Sequence, residues 1–76
     1  MVKIIDLIIK EKYKIELKYD DGFSNTLDFE NILSFNGIAA PLKDLNYFKT
    51  VKIIRNGRSF GWDNDYDCCA DWARNL

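Results

Sequence analysis

The sequence predicts an α+β domain built on a small antiparallel or mixed sheet of about five strands, a three-strand meander followed by a hairpin, with two or three short helices. Three observations carry this. Residues 13 to 19 alternate apolar and charged side chains without a break, Gly22 and Gly57 each close a turn signal, and β-branched runs at residues 2 to 9 and 51 to 54 are separated by stretches with helix caps and helical spacing. The chain has 76 residues, and one of this size buries only about 60% of the surface its unfolded form exposes. The whole of 1–76 is therefore expected to form a single domain around one core, which takes most of the large apolar side chains.

Residues 2 to 9 read as the first strand. They are β-branched and apolar on both faces, with Ile4 and Ile8 on one and Ile5, Leu7 and Ile9 on the other, the pattern of a strand covered on both sides. After the charged turn Lys10-Glu11-Lys12, Tyr13, Ile15, Leu17 and Tyr19 alternate with Lys14, Glu16 and Lys18, which is the period of a half-buried strand. Asp20-Asp21-Gly22 then reverses the chain, and Phe23, Asn25, Leu27 and Phe29 continue with period two. These three strands make the meander.

Asp28 is placed to cap a short helical turn from Glu30 to Leu33, which Asn36-Gly37 would end. A second helix follows from Pro41 near its start and from Leu42, Leu45 and Phe48 at helical spacing, with Asp44 capping its latter part. Val51 to Ile54 and Ser59 to Trp62 flank Asn56-Gly57, a strong short hairpin signal. Residues 67 to 74 read as a closing helix with Cys68 and Trp72 four apart on one face.

Hydrophobic residues make up 47% and aromatics 14% of the chain, well above a disordered segment, and the formal net charge of -1 lacks the basic footprint of a domain that binds nucleic acid through phosphates. The charge is segmented. Residues 1 to 30 hold five Lys against seven acids, residues 43 to 58 hold five bases against Asp44, and residues 63 to 76 hold four Asp against Arg74, giving -2, +4 and -3. The apolar stretch Ile4 to Ile9 is interrupted by Asp6 and is too short for a signal peptide or a membrane span, so a cytoplasmic location and no membrane association are expected.

Chemistry is sparse. The only cysteines, Cys68 and Cys69, are adjacent, so a bond between them would staple nothing, and two thiols without a His fall short of a zinc site. Free thiols, no metal and no cofactor are the expectation. Without His there is no base for a Ser or Cys nucleophile. The nine Asp and three Glu form no acid–base pair that sequence alone can recognise. Asp63-Asn64-Asp65-Tyr66-Asp67 imitates the opening of an EF-hand loop, but Cys68 and Arg74 stand where the loop needs its Gly and its bidentate Glu. Hairpin exit and helix capping account for those residues. No catalytic residue is assigned, and the chain is expected not to be an enzyme.

The functional candidates are therefore surface features. Lys49, Lys52, Arg55 and Arg58 form a basic set around the second hairpin, suited to phosphates, to an acidic partner or to protection of a strand edge. Phe60 and Trp62, with Trp72, would be a docking platform if exposed, although in so small a domain such rings serve more often as core. Lys49, Lys52, Arg55, Arg58, Phe60 and Trp62 are together the candidate partner-binding residues.

The chain also resembles the small bacterial family catalogued only as a domain of unknown function, number 2442. The likeness runs end to end and rests on the opening strand, on Tyr19-Asp20-Asp21-Gly22 with Leu27-Asp28-Phe29, on Pro41-Leu42-Lys43-Asp44 with Phe48 and Val51, and on Trp62, Asn64, Asp67, Cys69 and Asp71. Asp63 and Asp65 replace a Pro and a Gly usual in the family, and Ala70 a second Pro, so the closing turn is expected to differ in shape and charge. The resemblance implies a compact α+β domain without an established activity, antitoxin-like, encoded beside a toxin-like partner. A protein partner or a homodimer is thus the first expectation. A nucleic-acid-associated accessory domain using the basic hairpin, with only indirect contact to nucleic acid, is the second, and a small enzyme with its site at a dimer interface the third.

Overall fold

The computed structural model describes residues 2–32, 37–64 and 66–76. Among these described residues, six strands form two antiparallel three-stranded sheets, joined by short helices. The first sheet is the expected meander, with β1 (Ile4–Ile9), β2 (Lys14–Tyr19) and β3 (Ser24–Asp28) side by side and β2 central. The second holds β4 (Lys52–Ile54), β5 (Ser59–Gly61) and β6 (Asp67–Cys69), with β5 central.

The alternation over residues 13 to 19 sorts as expected. Ile15, Leu17 and Tyr19 are buried and Lys18 is exposed. The first strand is different, because its register with β2 shifts between Ile4 and Asp6. Ile4 faces Tyr19, Ile5 falls in the bulge and is 64% exposed, and Leu7 and Ile9 then face Leu17 and Ile15. The extra residue puts Ile4 on the face of Leu7 and Ile9, and β1 is not covered on both sides.

The single sheet of about five strands is corrected to two sheets of three. The hairpin β4–β5 does not join the meander, although β4 lies close to β1. A sixth strand extends the hairpin where a helix was expected at residues 67 to 69. Gly61 explains the tight return: a Cβ there would lie 2.5 Å from the Tyr66 carbonyl oxygen and 2.7 Å from Asp67 Cβ. With that room the Trp62 N–H donates to the Tyr66 carbonyl at 2.9 Å, and β6 runs back along β5. The helix starts later, as α3 (Ala70–Arg74). The turn before β5 is longer than two residues. Arg55, Asn56 and Gly57 all have positive φ, and pairing resumes at Ile54 with Ser59.

Helix α1 (Phe29–Ile32) starts at the expected Asp28, whose carboxylate accepts from the Glu30 N–H at 3.1 Å. Leu33 and Asn36, expected to end it, lie outside the described residues. The second expected helix is two pieces. A 3₁₀ segment covers Gly37–Lys43 with Pro41 inside, and α2 (Leu45–Phe48) is capped by Asp44, which accepts from the Asn46 N–H at 2.9 Å. Leu42 and Phe48 are buried, but Leu45 is not part of the stripe and faces solvent.

One core gathers the inner faces of both sheets with α1 and α2. Phe29 stands at its centre, edge-on to Phe48, Phe60 and Trp62 with ring centroids 5.9, 6.1 and 6.1 Å away. The Trp62 indole N–H is satisfied by the Phe48 carbonyl at 2.8 Å. Helix α3 closes the molecule over the β2–β3 hairpin. The buried Tyr19 hydroxyl donates to the Ala70 carbonyl at 2.9 Å, Asn25 Nδ2 donates to the Ala73 carbonyl at 2.9 Å, and Arg74 donates to both Asp21 oxygens at 3.2 and 2.6 Å. The Arg74 guanidinium also covers the Phe23 ring at 4.2 Å. Its hydrogen bonds hold the Asp21 carboxyl below the ordinary carboxylate range, and burial pushes the Tyr19 phenol up.

Candidate functional site

The second sheet brings the basic and acidic segments of the chain together. Lys52 and Asp67 both pair with Gly61, from opposite sides of β5, so side chains distant in sequence share one short stretch of sheet. Lys52 Nζ meets Asp63 Oδ1 at 2.5 Å, and Arg55 reaches across to the carboxylate of Asp67. Both pairs are exposed, so each adds little stability. Their electrostatic effect is larger, since two of the four candidate cations already have their countercharge. Lys49, at the C-terminal end of α2, and Arg58, half-buried at the start of β5, have no ion pair among the described residues.

Phe60 is 0% exposed and Trp62 4%. This corrects their candidacy as partner-binding residues, because a partner cannot reach them on the folded domain and they fill the core. Of the three rings considered from the sequence, the exposed one is Trp72, at 41%. Its position follows from α3, whose small residues Ala70 and Ala73 are buried three apart, leaving Trp72 on the other side of a one-turn helix. That Ala–Ala spacing was the available signal. The expected pairing of Cys68 with Trp72 on one helix face fails because Cys68 belongs to a strand and is buried.

Trp72 lines a shallow cleft of about 240 Å³ with Tyr66, Asp67, Cys68 and Cys69. The cleft runs along β6, which is an edge strand of its sheet. Hydrogen-bonded pairs Trp62 with Tyr66 and Arg58 with Ala70 bracket the strand, so the register turns the N–H and C=O of Cys68 toward Phe60 and those of Asp67 and Cys69 away from the sheet. The Asp67 and Cys69 N–H groups donate to nothing among the described residues. An open strand edge beside a large exposed ring is the main surface feature of this half of the molecule.

The two thiols point to opposite faces of β6, one buried and one exposed. They do not converge. Burial first, and the Asp67 charge second, push the Cys68 thiol up to about 12. At pH 8 such a group holds on the order of 10³-fold less thiolate than an ordinary thiol. A disulfide reagent at pH 8 is therefore expected to modify one thiol per folded chain quickly, at Cys69, and the second only after denaturation. Two fast equivalents would show that Cys68 is open.

A second cleft of about 200 Å³ lies by the β1–β2 turn and is lined by Glu11, Lys12, Tyr13, Lys14, Asp28 and Glu30. Two of its three carboxylates are engaged: Asp28 accepts from the Glu30 N–H and from Asn31 Nδ2, and Glu11 pairs with Lys14 at 3.4 Å. Among the described residues no three Cys, Asp or Glu side chains come together to hold a metal ion, and no helix is long and apolar enough to cross a membrane. Asp65, the middle of the loop that imitates a calcium site, lies outside the described residues.

No family model, curated protein or solved structure matches this chain.

Proposed function

We propose that this domain binds another polypeptide chain, which adds a strand to the open edge of β6 and packs on Trp72. The observation that supports this is the exposed Trp72 ring near β6 backbone donors that have no acceptor among the described residues. Strand addition draws affinity from main-chain hydrogen bonds and specificity from adjoining pockets, and Trp is among the residues that most often carry interface energy. The antitoxin-like role implied by the resemblance to family 2442 is one form of this reading, with a toxin-like neighbour as the bound chain. A copy of the domain itself is another. The basic set has a smaller part in it, because Lys52 and Arg55 are already neutralised by Asp63 and Asp67.

The test is co-expression with the product of the adjacent gene, followed by light scattering of the purified material over a range of concentrations. The chain is expected to appear with a second chain, of either kind. Trp72→Ala should weaken that association by about 2 kcal/mol, roughly 30-fold, while the melting temperature stays close to that of wild type. A chain that remains alone and monomeric throughout would contradict the reading.

A further inference from the structure

We propose that Asn56 is a site of spontaneous deamidation, gated by opening of the turn that it forms with Gly57. Asn is among the thermolabile residues, and the Gly57 nitrogen that would attack its side chain has no Cβ beside it to shield it. Asn56 is exposed and lies in a run of three positive φ values, 53, 56 and 89 at Arg55, Asn56 and Gly57. Such a backbone is strained, at Arg55 above all, and opening the turn releases that strain. In the closed turn the reaction is blocked. Asn56 has φ 56 and ψ 36, and this ψ turns the Gly57 nitrogen away from the Asn56 Cβ, whereas the ring that must form holds the two on the same side. Rotating ψ moves Gly57, which is buried, with the place of its missing Cβ 2.6 Å from the Ile4 carbonyl oxygen. The turn must therefore leave β1 before the ring closes.

Once the turn opens, the Gly57 nitrogen loses its proton to solvent base and bonds to Asn56 Cγ, the Cγ–Nδ2 bond breaks, and the side-chain nitrogen takes up a proton and leaves as ammonia. Water then opens the cyclic imide. Attack at Cγ restores the chain with an aspartate at position 56, and attack at the main-chain carbonyl leaves an isoaspartate, with the chain routed through the former side chain. The two products differ in effect. Aspartate tolerates the same left-handed backbone and adds one negative charge in the segment between Arg55, already paired with Asp67, and Arg58, which has no ion pair among the described residues. Isoaspartate lengthens the main chain by one methylene where the turn packs on β1.

The test is to age the chain at mildly basic pH, folded and in denaturing urea, and to map position 56 by mass spectrometry separately from the other Asn-Gly pair, at Asn36. Conversion of Asn56 is expected to be about 10- to 100-fold slower in the folded chain, the ratio being set by the fraction of time the turn is open. Asn56→Gly keeps the positive φ and has no side chain to react, while Asn36 ages alike in both chains. Ageing should therefore lower the melting temperature of wild type by several degrees more than that of Asn56→Gly. A folded rate within about tenfold of the unfolded one would overturn the gate, and Asn56 left intact in the folded chain after about 100 unfolded half-lives would overturn the site. Equal losses of melting temperature in the two aged chains would overturn the effect on the contact with β1.

Discussion

Phe29→Ala is expected to cost about 3 to 5 kcal/mol, the range for removing a buried aromatic ring without full collapse of the space. The ring is 0% exposed and is the hub where Phe48, Phe60 and Trp62 meet, so one truncation loosens α2 and the second sheet at once. A domain of this size has a total stability of roughly 4 to 11 kcal/mol, which makes the loss a large fraction of the whole. Urea denaturation followed by circular dichroism should show the midpoint fall by at least about a quarter, or no folded baseline. Leu45→Ala, at an exposed residue of α2, should shift stability by only about 0.5 kcal/mol. A loss below about 1 kcal/mol at Phe29 would mean that the aromatic hub does not hold the two sheets together.

Gly57→Ala is expected to be nearly as damaging, for a backbone reason. Gly57 has φ +89, and a Cβ there would stand 2.6 Å from the Ile4 carbonyl oxygen and 3.1 Å from the Ile4 N, both main-chain atoms of β1. Left-handed strain and forced displacement of a strand together cost about 2 to 5 kcal/mol. Gly22 provides the comparison, since its φ is +90 but nothing lies within 4 Å of the place a methyl group would take. Gly22→Ala should therefore cost only the conformational part, about 1 to 2 kcal/mol. Equal thermal shifts for the two variants would show that the approach of β1 to the hairpin turn contributes nothing.

The parts of this fold that could be read from sequence are those where one face of an element is wet. Lys14, Glu16 and Lys18 mark the solvent side of β2, so its period was plain, and Asp28 and Asp44 cap helices as their chemistry suggests. The bulge at Ile5 was hidden, because an apolar run looks the same whether or not its register slips by one residue. Strand β6 was hidden for another reason: Asp67-Cys68-Cys69 has no β-branched residue and precedes a helical pattern, and only the missing side chain of Gly61 allows it to pair. The candidate site was legible in part. Lys52 and Asp63, and Arg55 with Asp67, stand 11 and 12 residues apart, and charge counts by segment cannot show that a β-hairpin folds one onto the other. Core use of Phe60 and Trp62 follows from domain size, whereas the exposure of Trp72 depended on which side of a one-turn helix Ala70 and Ala73 occupy.

The closure of α3 over the β2–β3 hairpin bears on how the chain folds as it is synthesised. The first sheet is complete in sequence at Asp28, yet its buried residues are covered by Leu42, Phe48, Phe60, Ala70 and Ala73, and Tyr19 finds the acceptor for its hydroxyl 51 residues later at Ala70. Until that layer is made, the apolar face of the sheet stays in contact with water. A nascent chain that has left the ribosome only as far as β5 therefore carries an uncovered apolar face, and its folding completes only after residue 73 has emerged. Translation speed over the codons for β5 to α3 then sets how long that sticky intermediate persists, and with it the dependence of this domain on chaperones.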